Sequence, residues 1–368
     1  MPARQMRDCL RNSERMNMTE LWRTQYTRAE LMERLGDPRQ LADVRSFEFT
    51  DGPERGTRAV SFRNAAGLAF CVLLERGMGL YDLQFRGVPL PFLSPVGAVH
   101  PAYSDPTGTG WLRTWPAGFL TPCGLTQVGS PGRDGDEELG LHGRIASLPA
   151  ENVSSGAGWQ GDEYLLWVEG EMRESAVFGE NLLLRRRIWS KLDVSRLWIE
   201  DNVENQGLKP SPHLFLQHFN LGFPLLGSAA RLVLPEHTTL PRDQNASAGL
   251  AECLGFSDPF ADFAEQVFYH DLSADADGNV EVSLVNPAFN GGQGLGLTLR
   301  YSKKQYPVFV EWKMMQSGTY VVGLEPSNCR VEGRAVERAS GRLQFLQPGE
   351  VRSYAIEVEF FEPGKYAQ

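Results

Sequence analysis

A large antiparallel β-sandwich is the fold this chain predicts, on three observations. Short runs of period two recur along most of its length. Gly, Pro, Asn and Asp separate them, and only one stretch has convincing helical character. The helix comes first: Thr27-Arg-Ala-Glu30 reads as a capping box that opens TRAELMERLG, and Gly36 and Pro38 close it. Strands are expected at 67–74, 79–86, 164–170, 182–190, 196–203, 213–221, 280–285, 295–301, 307–314 and 319–325. The last strand is the clearest: after the turn Gln347-Pro-Gly-Glu350, Tyr354, Ile356, Val358 and Phe360 alternate with Ser353, Ala355, Glu357 and Glu359. So many strands beside one helix means a sandwich of antiparallel sheets.

Composition narrows the function classes. A chain of 368 residues, 42% hydrophobic and 22% charged, is long enough to bury a large core without disulfide or metal staples. The net charge of −10 offers no basic stripe for phosphates, so no nucleic-acid partner is expected. No apolar run reaches the length of a membrane span, and no membrane partner is expected. Cys9, Cys71, Cys123, Cys253 and Cys329 are scattered and odd in number, which suits reduced thiols and a cytoplasmic location. Residues 1–18 read as a disordered tail or an extension upstream of a start near Met16 or Met18; residues 19–368 read as one domain. A homodimer is among the assemblies open to it.

The tract from Ser94 to Gly143 breaks the strand pattern with Gly, Pro and aromatic residues, and loops of that length usually carry function. Trp111 and Trp115 within it either pin the loop to the core or offer platforms for sugar rings. His142 sits between glycines in Gly140-Leu-His-Gly-Arg144, after the acids Asp134, Asp136, Glu137 and Glu138. Those acids would favour a protonated ring if they folded close. Leu214, Leu216, His218 and Asn220 share one strand face, as if that strand ran from core to pocket rim. Glu325 ends an apolar strand where a carboxylate is costly unless partnered. It is either ion-paired with Arg330 or Arg334, or a general base. Trp312 is expected in the core behind Val308 and Val310, and Lys313 on the opposite face.

The segments GLHGRIA, HFNLG and YVVGLEPSN, in that order, resemble elements of the aldose 1-epimerase (galactose mutarotase) superfamily. RGMGLYDLQFRGVPLPFLSP, FLTPCGLTQVG, EELGLHGR, WKMMQSGTYVVGLEPSN and the closing LQPGE resemble a less characterised bacterial branch of it, from about residue 45 to the C-terminus. The resemblance implies a supersandwich fold, a monosaccharide or sugar-derivative substrate, and no cofactor or metal. It assigns Glu325 as the base on the C1 hydroxyl, His218 as the acid on the ring oxygen and His142 as a sugar-binding residue. The sugar is then expected between Glu325 and His218, on opposite sides of one concave site. One departure stands out: the family's acid histidine lies three residues before the Phe of Phe-Asn-Leu, where this chain has Leu216.

The family's Asn-Arg-Ile element is not visible either, and Arg76, Arg113 and Arg144 are candidate replacements. Because an arginine fork also grips carboxylate or phosphate, an acidic or otherwise modified sugar stays open. Trp115, Asn220 and Asn328 complete the expected substrate-binding set. Two rivals compete with the epimerase. One is a sugar-binding protein without turnover; the other is a metal-dependent sugar isomerase using two histidines and a carboxylate. GQGLG at 292–296 lacks the strand–helix context of a phosphate loop.

Overall fold

The structure, a computed structural model, describes residues 18–365. The expected tail falls almost wholly on residues 1–17, outside the described residues. Two large antiparallel sheets dominate. One has eight strands in the spatial order 151–160, 163–175, 181–191, 196–205, 351–361, 295–302, 279–286 and 231–233. The other has eleven, and five of them carry the residues of interest. In chain order these are β1 (Leu120–Leu125), β2 (Leu214–Leu221), β3 (Gln266–Leu272), β4 (Val308–Gln316) and β5 (Thr319–Ser327). They lie side by side as β3-β4-β5-β2-β1, every neighbour antiparallel.

Every strand expected from the alternation is present, with ends shifted by a few residues. The helix is also there: α1 (Arg28–Arg34) carries both halves of the capping box between Thr27 and Glu30, and ends at Leu35. Strands β1 and β3 were not expected. All six residues of β1 are buried, so it has no polar face to alternate with, and Pro122 and Gly124 disguise it further. Short helices at Gln244–Gly249, capped by the Asp243 side chain, and at Arg334–Ala339 were not expected.

The two sheets pack through one apolar core. Phe215, Phe219 and Leu221 of β2 meet side chains from the eight-stranded sheet such as Ile188, Ile199 and Val358. Within this core lies a fully buried charged network. The Arg186 guanidinium donates to both oxygens of Asp201, at 2.7 and 2.8 Å, and to Gln217 Oε1 at 3.0 Å. Gln217 Nε2 donates back to Asp201 at 2.7 Å. Gln217 belongs to β2, so the network clamps that strand to the opposite sheet.

The outer face of the eleven-stranded sheet would otherwise be bare. The Ser94–Gly143 tract covers it, with Trp111, Trp115, Ala117, Val128 and Leu141 packing on Leu214, Leu216, Val267, Tyr269 and Val310. The loop reading of this tract therefore needs correcting: it holds a central sheet strand, a small hairpin and two 3-10 turns.

Candidate functional site

Period two decides which side chains reach the outer face of β2. Phe215, Gln217 and Phe219 turn inward; Leu216, His218 and Asn220 turn outward under the tract. The register pairs Leu216 with Ser327 and Phe219 with Leu324, which sets His218 directly opposite Glu325 on β5. On the other flanks, His218 faces Thr121 of β1 and Glu325 faces Val310 of β4.

His218 Nε2 and Glu325 Oε1 are 3.1 Å apart, and both side chains are buried. The orientation does not satisfy a hydrogen bond, which leaves Glu325 Oε1 and His218 Nδ1 without partners. Burial pushes the Glu325 carboxyl well above its ordinary range, with Glu265 adding to the rise and Arg242 opposing it. Burial pushes His218 well below the ordinary imidazole range, and His142 adds to that fall. Both groups therefore favour their neutral forms, with one proton between them.

Rings enclose the pair. Trp115 and Trp312 lie 5.7 and 5.5 Å from the His218 ring, and His142 stands edge-on at 5.7 Å. Trp111 stacks on Trp115 at 5.1 Å and touches His142 at 4.9 Å. Trp115 is fixed by donating Nε1–H to Thr121 Oγ1, and Trp312 by donating to Glu265 Oε2. Trp312 is therefore a half-buried member of this site and not a core residue. The two readings of the loop tryptophans also turn out to be compatible: both rings pin the tract, and both wall the site.

Between Asn220 and Trp312 the sheet has no side chain at all, because Gly323 occupies that position. A Cβ there would lie 2.6 Å from Glu325 Oε1, 3.0 Å from the His218 ring and 3.1 Å from Trp312 Cβ. Gly323→Ala should therefore cost about 1–3 kcal/mol by overpacking and drive the pair apart. A folded variant with a lowered Tm and no activity is expected; undiminished turnover would count against the pair.

His142 holds a left-handed backbone, φ 57°, between its glycines. Its N–H donates to Gly129 O at 2.9 Å, while its Nδ1 accepts from Gly129 N–H at 3.3 Å. Burial pushes its pKa down to about 4. The acids that would have favoured a protonated ring are engaged elsewhere: Asp134 and Glu137 pair with Arg334, and Asp134 also with Arg338. Arg334 is thus spoken for and Arg330 lies over Tyr269, so neither is the partner once expected for Glu325. Lys313 is buried and caps the carbonyls of Glu252 and Gly255.

The remaining candidates are dispersed. Asn220 is buried beside His218, donating to the carbonyls of Gly118 and His218, both at 3.0 Å. Asn328 is committed to structure: it accepts from Phe215 N–H and donates to His213 O and the Tyr354 hydroxyl. Arg76 is buried and donates to Thr114 O at 2.6 Å. Arg113 is exposed, and Arg144, also exposed, lies 4.0 Å from Glu180. The structure therefore brings together Glu325, His218, His142, Trp115 and Asn220, but sets Asn328 and the three arginines apart from the pair. A pyranose cannot lie between Glu325 and His218 as expected, since adjacent strands hold them in contact. Among the described residues no group of three His, Cys, Asp or Glu is arranged to hold a metal ion, and no helix is long and apolar enough to cross a membrane.

Comparison with solved structures places the fold. A Klebsiella pneumoniae protein provisionally assigned as an aldose 1-epimerase aligns with a TM-score of 0.82 at 23% identity, over 88% of this chain and 84% of that one. A galactose mutarotase-like protein from Clostridium acetobutylicum aligns at 0.58 and 14% identity, over 87% and 99%. Galactose 1-epimerase from Lactobacillus acidophilus aligns at 0.51 and 15%, over 87% and 98%. No curated protein matches the sequence. The family described as a domain of unknown function (DUF4432) matches residues 54–360. The chain therefore belongs to that family, and it is built on the galactose mutarotase-like fold.

Proposed function

We propose that this protein is an aldose 1-epimerase-like isomerase that interconverts the α and β anomers of a monosaccharide or sugar derivative. The observation that carries this reading is the His218–Glu325 contact of 3.1 Å on a sheet face ringed by tryptophans. A hemiacetal opens when a proton leaves the C1 hydroxyl and another reaches the ring oxygen. Both oxygens are bonded to the same carbon, so the base and acid that serve them must be neighbours. Opposite jaws are not needed; a side-by-side pair presented from one floor suffices.

A single proton shared by the pair balances the reaction. One group takes the proton of the C1 hydroxyl while the other protonates the ring oxygen, and the C1–ring oxygen bond breaks. The open-chain aldehyde rotates about C1–C2, recloses, and returns the pair to one proton. With the proton on His218, Glu325 is the base and His218 the acid; with it on Glu325 the roles exchange. Such acid–base assistance is worth roughly 10²–10⁴-fold per group. The sugar approaches past the half-buried rings of His142 and Trp312, with its apolar face on the tryptophans.

The test is exchange NMR on a panel of neutral and acidic sugars, which reads α/β interconversion directly. Catalysed exchange for at least one sugar, abolished in His218→Ala, is the expected result. Binding without exchange would make the protein a sugar receptor instead. The pH profile adds a second check. An ordinary carboxyl and imidazole would give limbs near their usual values of 4.5 and 6.5. Here burial pushes Glu325 up and His218 down, so both limbs should depart from those values. Limbs found at the ordinary 4.5 and 6.5 would count against the burial of the pair.

A further inference from the structure

We propose that one end of the eight-stranded sheet is a self-association face, on which a second copy of this chain docks about a two-fold axis, with Phe178 of each copy seated in a groove of the other. Neither His218 nor Glu325 lines that groove, so the inference goes beyond the epimerase reading and does not depend on it.

The turn Ala176-Val177-Phe178-Gly179 joins the strands 163–175 and 181–191, and Gly179 N–H closes it by donating to Ala176 O at 3.1 Å. Its third residue, Phe178, holds φ 66°, the left-handed conformation that such a turn normally gives to glycine or asparagine. A bulky side chain there is strained, and strain of this kind marks function more often than chance. Leu208 stands on the neighbouring loop, which follows the strand 196–205 at the same end of the sheet. Phe178, Leu208 and Val177 are 103%, 95% and 85% exposed, more than any other large apolar side chain among the described residues. The two loops brace each other. Gln206 N–H donates to Asn181 O at 2.9 Å, and Arg173 donates to Asn181 Oδ1 and Gln206 Oε1, both at 2.8 Å. Asn205 Nδ2 holds Lys209 O at 2.9 Å. The result is a fixed apolar projection, which marks an interaction surface rather than slack chain.

A groove of about 840 Å³ opens beside it, walled in part by Phe178, Leu208, Pro210 and Pro212. Knob and groove therefore adjoin on one face. A two-fold rotation brings the knob of each copy to the groove of the other, which is the self-complementary form of an isologous pair. Charge names the occupant. The chain carries a net charge of −10, so two copies repel each other over most approaches. The groove is balanced instead, with Asp134, Glu137 and Glu180 set against Lys209, Arg334 and Arg338. A strongly acidic or basic partner meets no opposite field there, and an anionic lipid surface meets no basic excess. A second copy finds apolar contact without like charge.

The test is sedimentation velocity with light scattering on the full chain, from low to high micromolar concentration at physiological salt. A reversible dimer is expected. Phe178→Asp and Leu208→Asp should each weaken it about a hundredfold, as charging a central anchor does. Phe178→Gly should weaken it as much, while leaving Tm unchanged or raised at a dilution where the parent is monomeric, because glycine relieves the strained turn. That variant separates loss of the contact from loss of the fold. Trp22→Asn alters another exposed aromatic residue of positive φ, outside the groove, and should leave the dimer intact. The inference is overturned if the parent stays monomeric throughout, if Phe178→Asp dimerises as the parent does, or if Trp22→Asn dissociates the dimer equally. A monomeric parent that binds phosphatidylglycerol vesicles through Phe178 would assign the face to lipid instead. None of these readouts uses a sugar, so their failure leaves the epimerase reading untouched, and absent anomer exchange leaves this face standing.

Discussion

Glu325→Gln is expected to lower the rate of anomer interconversion by roughly 10²–10⁴-fold while changing sugar binding only modestly. The amide keeps the shape of the carboxyl group and its place opposite His218 on the neighbouring strand. What it cannot do is take up or release a proton, so the shared proton of the pair is lost as a working part. His218→Ala should give a loss of similar size, and the double variant should be hardly worse than either single one. Groups that act as a unit are strongly non-additive. Progress is read from the exchange of C1 signals at equilibrium, and binding from the tryptophan indole shifts. Turnover in Glu325→Gln within threefold of the parent would remove the carboxyl from the chemistry altogether.

Asp201→Ala is expected to cost about 3–5 kcal/mol of stability. It strands the Arg186 guanidinium, of which none is exposed, with only Gln217 and two distant carbonyls for company. Total folding stability of a protein is typically about 5–15 kcal/mol, so one residue would remove a large share. Urea unfolding measures it, as a lower midpoint at unchanged slope. Replacing the ion pair together with the amide that binds it, as Arg186→Met, Asp201→Leu and Gln217→Leu, should recover most of the loss, because matched apolar side chains leave no buried polar group unpaired. A cost below about 1 kcal/mol for the single variant would mean that water reaches Arg186. The same variant should loosen β2, since Gln217 ties that strand to the network and precedes His218 in the chain.

Much of this molecule could be read from its residues, for identifiable reasons. Strands with one covered and one wet face announced themselves by alternation, as Val351–Phe361 did. β1 did not, because a strand buried on both faces looks like any apolar run. Glu325 and His218 were conspicuous as polar residues at apolar positions, and a motif resemblance paired them. Their mutual distance was beyond sequence reasoning, since it depends on the register of two strands about a hundred residues apart. Trp312 was misassigned for a related reason. Its alternation with Val308 and Val310 correctly gave the face, but not which face of the sheet lies against the tract. The arginines suggested an acidic substrate by residue type alone, and their positions were set by loop geometry that no periodicity encodes. Gly323 carried no signal, since a glycine in a strand usually marks a weakness and here marks a vacancy that two functional groups fill.

The double clamp of Gly129 on His142 has a consequence for selectivity. With Nδ1 occupied by an amide hydrogen, the neutral ring must carry its own hydrogen on Nε2, and so it offers a contact of one polarity. A ring in that state can donate to lone pairs, whatever atom bears them, and cannot accept a hydrogen. On the proposed function, a sugar docking against it would turn an acceptor in that direction, which would orient a many-hydroxyl guest without asking for charge.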